Sequence, residues 1–228
     1  MITNIYKYPE LKRVDKEAGR YYLDSNCNAV PSVTTVLGNT SNKKHSIEQW
    51  RKRVGEEEAD RITKQSTDIG SMVHEALEMY LYGKDWDDFK DDQNDIIAKR
   101  ITTKFINTGI KSITEVWGLE VGLVLEGLYA GTADCVGKIN DIPSIIDFKT
   151  ARKMKRREWI EDYFLQCCAY ANAHNVMFGT EIKQVAILMV DRELMFQEFI
   201  VRPLEFDILT KVWKKRLIEF HKKYSNKI

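Results

Sequence analysis

This chain of 228 residues has little that would staple or break it: 4 cysteines, 4 prolines and 12 glycines. Cys27, Cys135, Cys167 and Cys168 form no CxxC pair and no spacing that suits zinc or an iron–sulfur cluster. They read as buried thiols of a reducing compartment. No HxH or HExxH is present, which disfavours a His-ligated metallohydrolase for small molecules. The longest uninterrupted aliphatic run, Val185 to Val190, is far too short to span a bilayer. The first residues, MITNIYKYPELKRVDKE, carry no apolar signal core and no Arg-rich amphipathic presequence, so the expectation is a cytoplasmic protein with no membrane partner. Neither sign of charge dominates, with Lys+Arg 35 against Asp+Glu 34 and a net charge of +1. The total therefore says nothing about nucleic acid, but its distribution does: 56–60 and 85–95 are acidic, whereas Arg152 to Arg157 is almost wholly basic.

What is present is ordinary soluble composition, 43% hydrophobic and 30% charged, enough for one substantial core. The expected organisation is a single domain over 1–228, with an N-terminal arm and helical part at 1–112, a strand-rich centre at 113–202 and a C-terminal helix at 203–228. The arm is expected to be irregular as far as a short Tyr21-Tyr22-Leu23 strand. A short helix is expected over Val30 to Leu37, capped by Ser32 and stopped at Gly38. A second from Ser46 carries Ile47, Trp50, Val54, Ala59 and Ile62. A third is capped at Thr67-Asp68, with Val73, Leu77, Tyr80 and Leu81 on one side and His74 beside them. Gly70, one turn before His74, would let a backbone or a phosphate approach closely. A helix at 96–106 precedes the centre, and one from Arg157 to His174 follows it. In the latter, Gln166 and Tyr170 stand i and i+4 on one face, and Trp159 and Tyr163 lie along the same aromatic stripe. Two closing strands, Lys183 to Val190 and Met195 to Val201, complete the order. The predicted class is α/β, or α+β, with a mixed sheet flanked by helices.

The centre, residues 120–150, carries the chemistry. Turn signals at Glu126-Gly127 and Asn140-Asp141 divide it into three strands of a meander. If Asn140-Asp141 is a two-residue turn, Ile139 faces Ile142 and Asp134 comes opposite Asp147, on the same face as Lys149. A first loop of Leu125-Glu126-Gly127 would set Glu120 opposite Thr132 and diagonal to Asp134. Two carboxylates this close repel unless a cation or proton lies between them, and a hard divalent metal such as Mg²⁺ with oxygen ligands is the simplest reason to keep both. The plain alternative is an exposed ion-pair ladder. Against it, Ile145-Ile146-Asp147-Phe148 is an apolar run, and a charge inside one needs a partner or a role. The basic run, with Arg152, Lys153, Lys155 and Arg156, follows this strand directly and is a candidate to hold phosphates.

Gly131-Thr132-Ala133-Asp134, Ile145 to Thr150 and Gln166-Cys167-Cys168-Ala169-Tyr170 resemble the GxxD, hhDhKT and QxxxY motifs of the PD-(D/E)xK nuclease superfamily. Gly70-Ser71-Met72-Val73-His74 is similar to the GxxxH helix of its RecB-like exonuclease branch. The region of VPSVTTVLG and Trp50 most resembles the mitochondrial genome maintenance exonuclease family and related phage exonucleases. The resemblance covers about residues 30–190. It implies a restriction-endonuclease-like core, with the N-terminal helices arching over the site, and a metal-dependent deoxyribonuclease using Mg²⁺ or Mn²⁺ and no iron–sulfur cluster. Asp134 and Asp147 would bind the metal, with the Phe148 carbonyl and His74 as further ligands. Lys149 would steer water, and Glu120 would assist a second metal. Gln166 and Tyr170 would hold the strand, with Gly70 and Thr150 in contact with it, and Trp159, Tyr163 and Tyr170 would stack bases. The implied substrate is single-stranded DNA with a free end, in replication, recombination or repair. A recombinase, a helicase or a single-strand binding protein are the implied partners, in a bacterial or phage-infected cytosol or a mitochondrion. The rival readings are an endonuclease for structured or duplex DNA, and a DNA-binding protein that has kept the fold and lost turnover.

Overall fold

The computed structural model of the protein describes residues 2–3, 5–41 and 43–224, of which 43–45 by backbone alone. The strands β1 (Arg13–Lys16), β2 (Gly19–Leu23) and β3 (Ala29–Pro31) form a small antiparallel sheet. The arm is thus more regular than its polar sequence suggests. Leu23 ends β2, and the turn to β3 is closed by Asp24, whose carboxylate accepts from the Asn26, Asn28 and Gly127 amides. Cys27 lies in that turn and is exposed, contrary to its expected burial.

Helix α1 (Val33–Thr40) begins three residues later than expected and runs through Gly38. Ser32 does cap it, accepting from the Thr35 amide at 3.0 Å. Its far end continues because Arg216 donates to the Leu37 carbonyl at 2.6 Å and to Thr40 Oγ1 at 2.8 Å, taking up a backbone acceptor that a helix end leaves open.

Two helices follow, α2 (Lys43–Val54) and α3 (Glu56–Leu81), parted at Gly55 with φ 90°. Ala59 and Ile62 therefore belong to α3. Thr67-Asp68 is not a cap but sits inside α3, because both side chains are satisfied within the helix: Thr67 Oγ1 donates to the Thr63 carbonyl and Lys64 pairs with Asp68 at 2.7 Å. At 26 residues α3 is the longest helix described, and it delivers His74 to the sheet. Asp92 then caps α4 (Gln93–Asn107).

The strands β4 (Ile113–Leu125), β5 (Tyr129–Ile139), β6 (Ile142–Ala151), β7 (Gln184–Asp191) and β8 (Phe196–Val201) lie in that spatial order in one mixed sheet. The single parallel pair is β6 with β7, joined through a 3₁₀ turn at Arg157–Trp159 and α5 (Glu161–Phe178). The last helix is α6 (Pro203–Tyr224); residues 225–228 of the expected C-terminal span lie outside the described residues.

Asn140 and Asp141 adopt φ 48° and 66°, the paired left-handed conformation of a tight two-residue hairpin, and Ile139 faces Ile142. The first hairpin differs from its expected register. Leu125 pairs with Tyr129, leaving Glu126-Gly127-Leu128 as the loop, and Thr132 faces Gly122 rather than Glu120. Gly127 supplies the left-handed residue at φ 70°.

The sheet is buried on both sides. One face packs on α5, with α1 and α6 behind it, through Ile145, Val185, Ile187, Phe164, Leu165 and Trp213. The other packs on α3 and α4 through Ile69, Val73, Ile101, Phe105, Ile146 and Leu188. Each such aliphatic or aromatic side chain contributes about 1.5–3 kcal/mol on burial, which is why β6 and β7 read as continuous apolar runs.

A buried polar chain locks the end of α5. Asn175 is oriented by the Ile182 backbone, so Thr180 must donate to Asn175 Oδ1 and accept from His174 Nδ1 at 2.8 Å. His174 Nε2 then accepts from the Tyr8 hydroxyl at 3.1 Å, and burial lowers its pKa to about 4. His174 is a neutral core histidine that ties the N-terminal arm to α5.

Candidate active site

The site forms where β5 and β6 part. Their ladder runs from Ile139 beside Ile142 to Cys135 beside Ile146, and the next position on the two strands brings Asp134 to Asp147. There Asp134 Oδ2 accepts from the Phe148 amide at 2.9 Å, so a side chain takes the place of a main-chain partner. On β4, Glu120 has φ 48°, a conformation that bulky residues rarely adopt, and its carboxylate is partly exposed beside Asp134.

His74 reaches these groups from α3. Its Nε2 lies 2.8 Å from the Phe148 carbonyl, which can only accept, so Nε2 carries a proton. Its Nδ1 faces Asp134 Oδ2 at 3.6 Å and Glu120 Oε1 at 3.7 Å. Burial pushes the His74 pKa down, but Glu120 and Asp134 outweigh it and the net shift is upward. Ligand atoms of His74, Glu120 and Asp134 lie within 4.8 Å of one another, close enough to hold one metal ion. A neutral His74 with its proton on Nε2 would turn the Nδ1 lone pair to that ion while the Phe148 carbonyl fixes the ring. That carbonyl keeps a second lone pair of its own.

Asp147 and Lys149 alternate with Phe148 along β6, and Lys149 Nζ lies 5.2 Å from the ring of Tyr163 on α5. Lys149 Nζ donates to Asp147 Oδ1 at 2.6 Å. Asp147 Oδ2 is buried and has no hydrogen-bond partner among the described residues. Such an atom is costly unless something further binds it. Burial raises the Asp147 pKa to about 6, Lys149 opposes the rise, and Asp134 adds to it. Burial disfavours the Lys149 ammonium, yet Asp147 and Asp134 more than compensate and hold it protonated. An unpartnered buried carboxylate oxygen beside a three-residue donor set fits a hard divalent cation.

The candidate strand-contacting residues fall into three groups. Gln166 is half-buried, and its amide donates to the Tyr170 hydroxyl at 3.3 Å. Tyr170 itself is only 4% exposed, so its ring has no open face for a base. Gly131 explains the fit: a Cβ there would lie 2.7 Å from Tyr170 Cε1, so the glycine of one motif makes room for the tyrosine of another. Tyr163 is half-buried with its ring 5.2 Å from Lys149 Nζ. Trp159, at 56% exposure, is open to solvent, and the Arg156 guanidinium sits 5.4 Å over its ring. Arg152, Lys153, Lys155 and Arg156 are exposed, whereas the neighbouring Arg157 is spent on Glu205 and the Ile200 carbonyl. Gly70 lies inside α3, where a Cβ would meet Thr150 Oγ1 at 3.7 Å, so α3 crosses close to β6 there.

Sequence comparison gives human mitochondrial genome maintenance exonuclease 1 at 29% identity over 213 residues, 87% of this chain. The chain is related to a nuclease superfamily. It spans 60% of that relative's length. No protein-family profile matches the chain. The fold is shared with a crystal structure from Eubacterium rectale, described provisionally as an exonuclease, at 14% identity and a TM-score of 0.54 over 72% of this chain and 69% of that one. The relationship agrees with the four sequence motifs, and the five-stranded mixed sheet flanked by helices agrees with the predicted class. Among the described residues no helix is long and apolar enough to cross a membrane.

Proposed function

We propose that this chain is a metal-dependent deoxyribonuclease that hydrolyses phosphodiester bonds from a free end, with a preference for single-stranded DNA, in replication, recombination or repair. The observation that carries this reading is the buried Asp147–Lys149 pair, with its unpartnered Oδ2, beside His74, Glu120 and Asp134. Asp134, Asp147, Glu120, His74 and the Phe148 carbonyl would hold Mg²⁺ or Mn²⁺, which when bound lowers the pKa of water and offsets charge on the phosphoryl oxygens.

The chain's own residues do the rest. Lys149, kept charged by Asp147, stands ready to donate to the attacking water or to the phosphate and so counters the negative charge that develops. Water adds to phosphorus as the bond from phosphorus to the leaving sugar oxygen breaks, that oxygen leaves as a hydroxyl, and the net proton goes to solvent; no side-chain nucleophile or covalent intermediate is needed. Gln166, braced by Tyr170, would contact the strand next to the reacting phosphate. Trp159, with Arg156 across its ring, offers a flat surface for an unpaired base. The exonuclease name of the human relative supports action from an end.

The reading is tested with linear single-stranded DNA, duplex DNA and a closed single-stranded circle, each with Mg²⁺, Mn²⁺ or EDTA. The expected result is metal-dependent loss of the linear strand with the circle intact. Cutting of the circle would establish an endonuclease instead, and binding without cleavage in either metal would establish a DNA-binding protein.

A further inference from the structure

The parallel ladder of β6 and β7 ends with Ala151 beside Asp191, so the next residues, Arg152 and Arg192, leave neighbouring strand ends side by side. Adjacent strands are only about 4.8 Å apart at the backbone, and the positive charge of Arg152 acts on Arg192, a repulsion that an anion between the two would relieve. Among the described residues neither arginine makes an ion pair. Glu58 feels the charge of Arg152, but both of its oxygens are committed to Arg61 at 2.7 Å. Asp191 is turned away into its own loop, where Oδ1 accepts from the Glu193 and Met195 amides at 2.9 Å. Burial and the charge of Arg152 both lower the pKa of Arg192.

Both arginines are mounted on fixed backbone. The β7–β8 turn that carries Arg192 is closed by those two Asp191 bonds and by the Leu194 amide on the Asp191 carbonyl. The basic loop is clamped to β8 by Gln197, whose amide oxygen accepts from the Lys155 amide and whose amide nitrogen donates to the Lys155 carbonyl, both at 2.9 Å. Two neighbouring guanidinium groups carried on fixed backbone, with no ion pair among the described residues, are suited to a phosphate, which guanidinium recognises with two parallel hydrogen bonds.

We propose that Arg152 and Arg192 together form a phosphate subsite that grips the DNA strand beyond the reacting bond, on the path leading past the end of β6. This rests on the nuclease reading above and adds Arg192, which sequence position alone separates from the basic run. The subsite positions the strand and takes no part in the chemistry.

The test uses the full chain with linear single-stranded oligonucleotides that each carry one uncharged methylphosphonate linkage at a different position. For the parent protein, KM is expected to rise at the scissile region and at one further linkage. In Arg192→Ala, KM rises about 5- to 20-fold, kcat stays within about twofold, and the salt dependence of binding falls by roughly 0.7 in slope, one phosphate contact on a single strand. Most tellingly, Arg192→Ala no longer responds to the methylphosphonate at that further linkage. Arg192→Lys keeps part of the affinity, and serves also if the alanine variant folds poorly. If the parent degrades DNA but Arg192→Ala and Arg192→Lys retain its full methylphosphonate profile and salt slope, the subsite is overturned while the nuclease reading stands. If the parent neither binds nor degrades the unmodified strand, the nuclease reading fails, and the subsite with it.

Discussion

The double variant Asp147→Asn with Lys149→Met is expected to lose turnover by about 10³-fold or more while folding at least as stably as the parent, whereas each single variant is less stable than the double. The reason lies in burial. Asp147 is 2% exposed, one of its oxygens is held by Lys149 and the other by nothing described. Removing Asp147 alone strands an ammonium in a largely desolvated place, and removing Lys149 alone strands a carboxylate. Removing both charges together relieves both penalties. A pair kept at a cost to stability is what a functional site looks like. Thermal melts of the three variants beside their rates on linear single-stranded DNA check this. A double variant less stable than either single would mean the pair is a structural tie.

Gly131→Ala is the second large effect. The new methyl would press on the Tyr170 ring at 2.7 Å and its hydroxyl at 2.9 Å, and that ring, carried by α5, is itself buried. Overpacking of this kind costs about 1–3 kcal/mol. Because Tyr170 also braces Gln166, the displacement is expected to lower the rate on single-stranded DNA about 10- to 100-fold. Adding Tyr170→Leu should return most of the stability, since the clash is pairwise, yet leave the rate low because the Gln166 partner is gone. Equal and additive losses of stability in the double variant would show that Gly131 and Tyr170 are not coupled as described.

These effects show where sequence reasoning reaches and where it stops. The Asn140-Asp141 turn was legible because a two-residue loop fixes the register of everything behind it, and that register alone brought Asp134 to Asp147. The longer loop at Glu126-Gly127-Leu128 allows a shift by one residue, which moved Thr132 away from Glu120. Local polarity misled at Thr67-Asp68, since residues that favour caps are also tolerated inside a long helix when each finds a partner one turn back. Tyr21-Tyr22-Leu23 reads as a strand and forms part of β2, but its partner β1 escapes sequence reasoning because Arg13–Lys16 is mostly polar and the apolar side of the hairpin, Tyr21 and Tyr22, is buried by distant elements. Tyr170 looked like a base-stacking ring in a helical stripe, and only its contact with Gly131 shows that it faces inward. Arg192 could not be found by spacing at all, because a parallel crossover and the whole of β7 separate it in sequence from Arg152.

Titration of Mn²⁺ into the parent and into Asp134→Asn, followed by calorimetry at neutral pH, tests the central claim most directly. The account predicts saturable binding to the parent and affinity at least about 10-fold weaker in the variant, with loss of DNA cleavage in parallel. Equal binding to both proteins, or DNA cleavage that persists in EDTA, would contradict it.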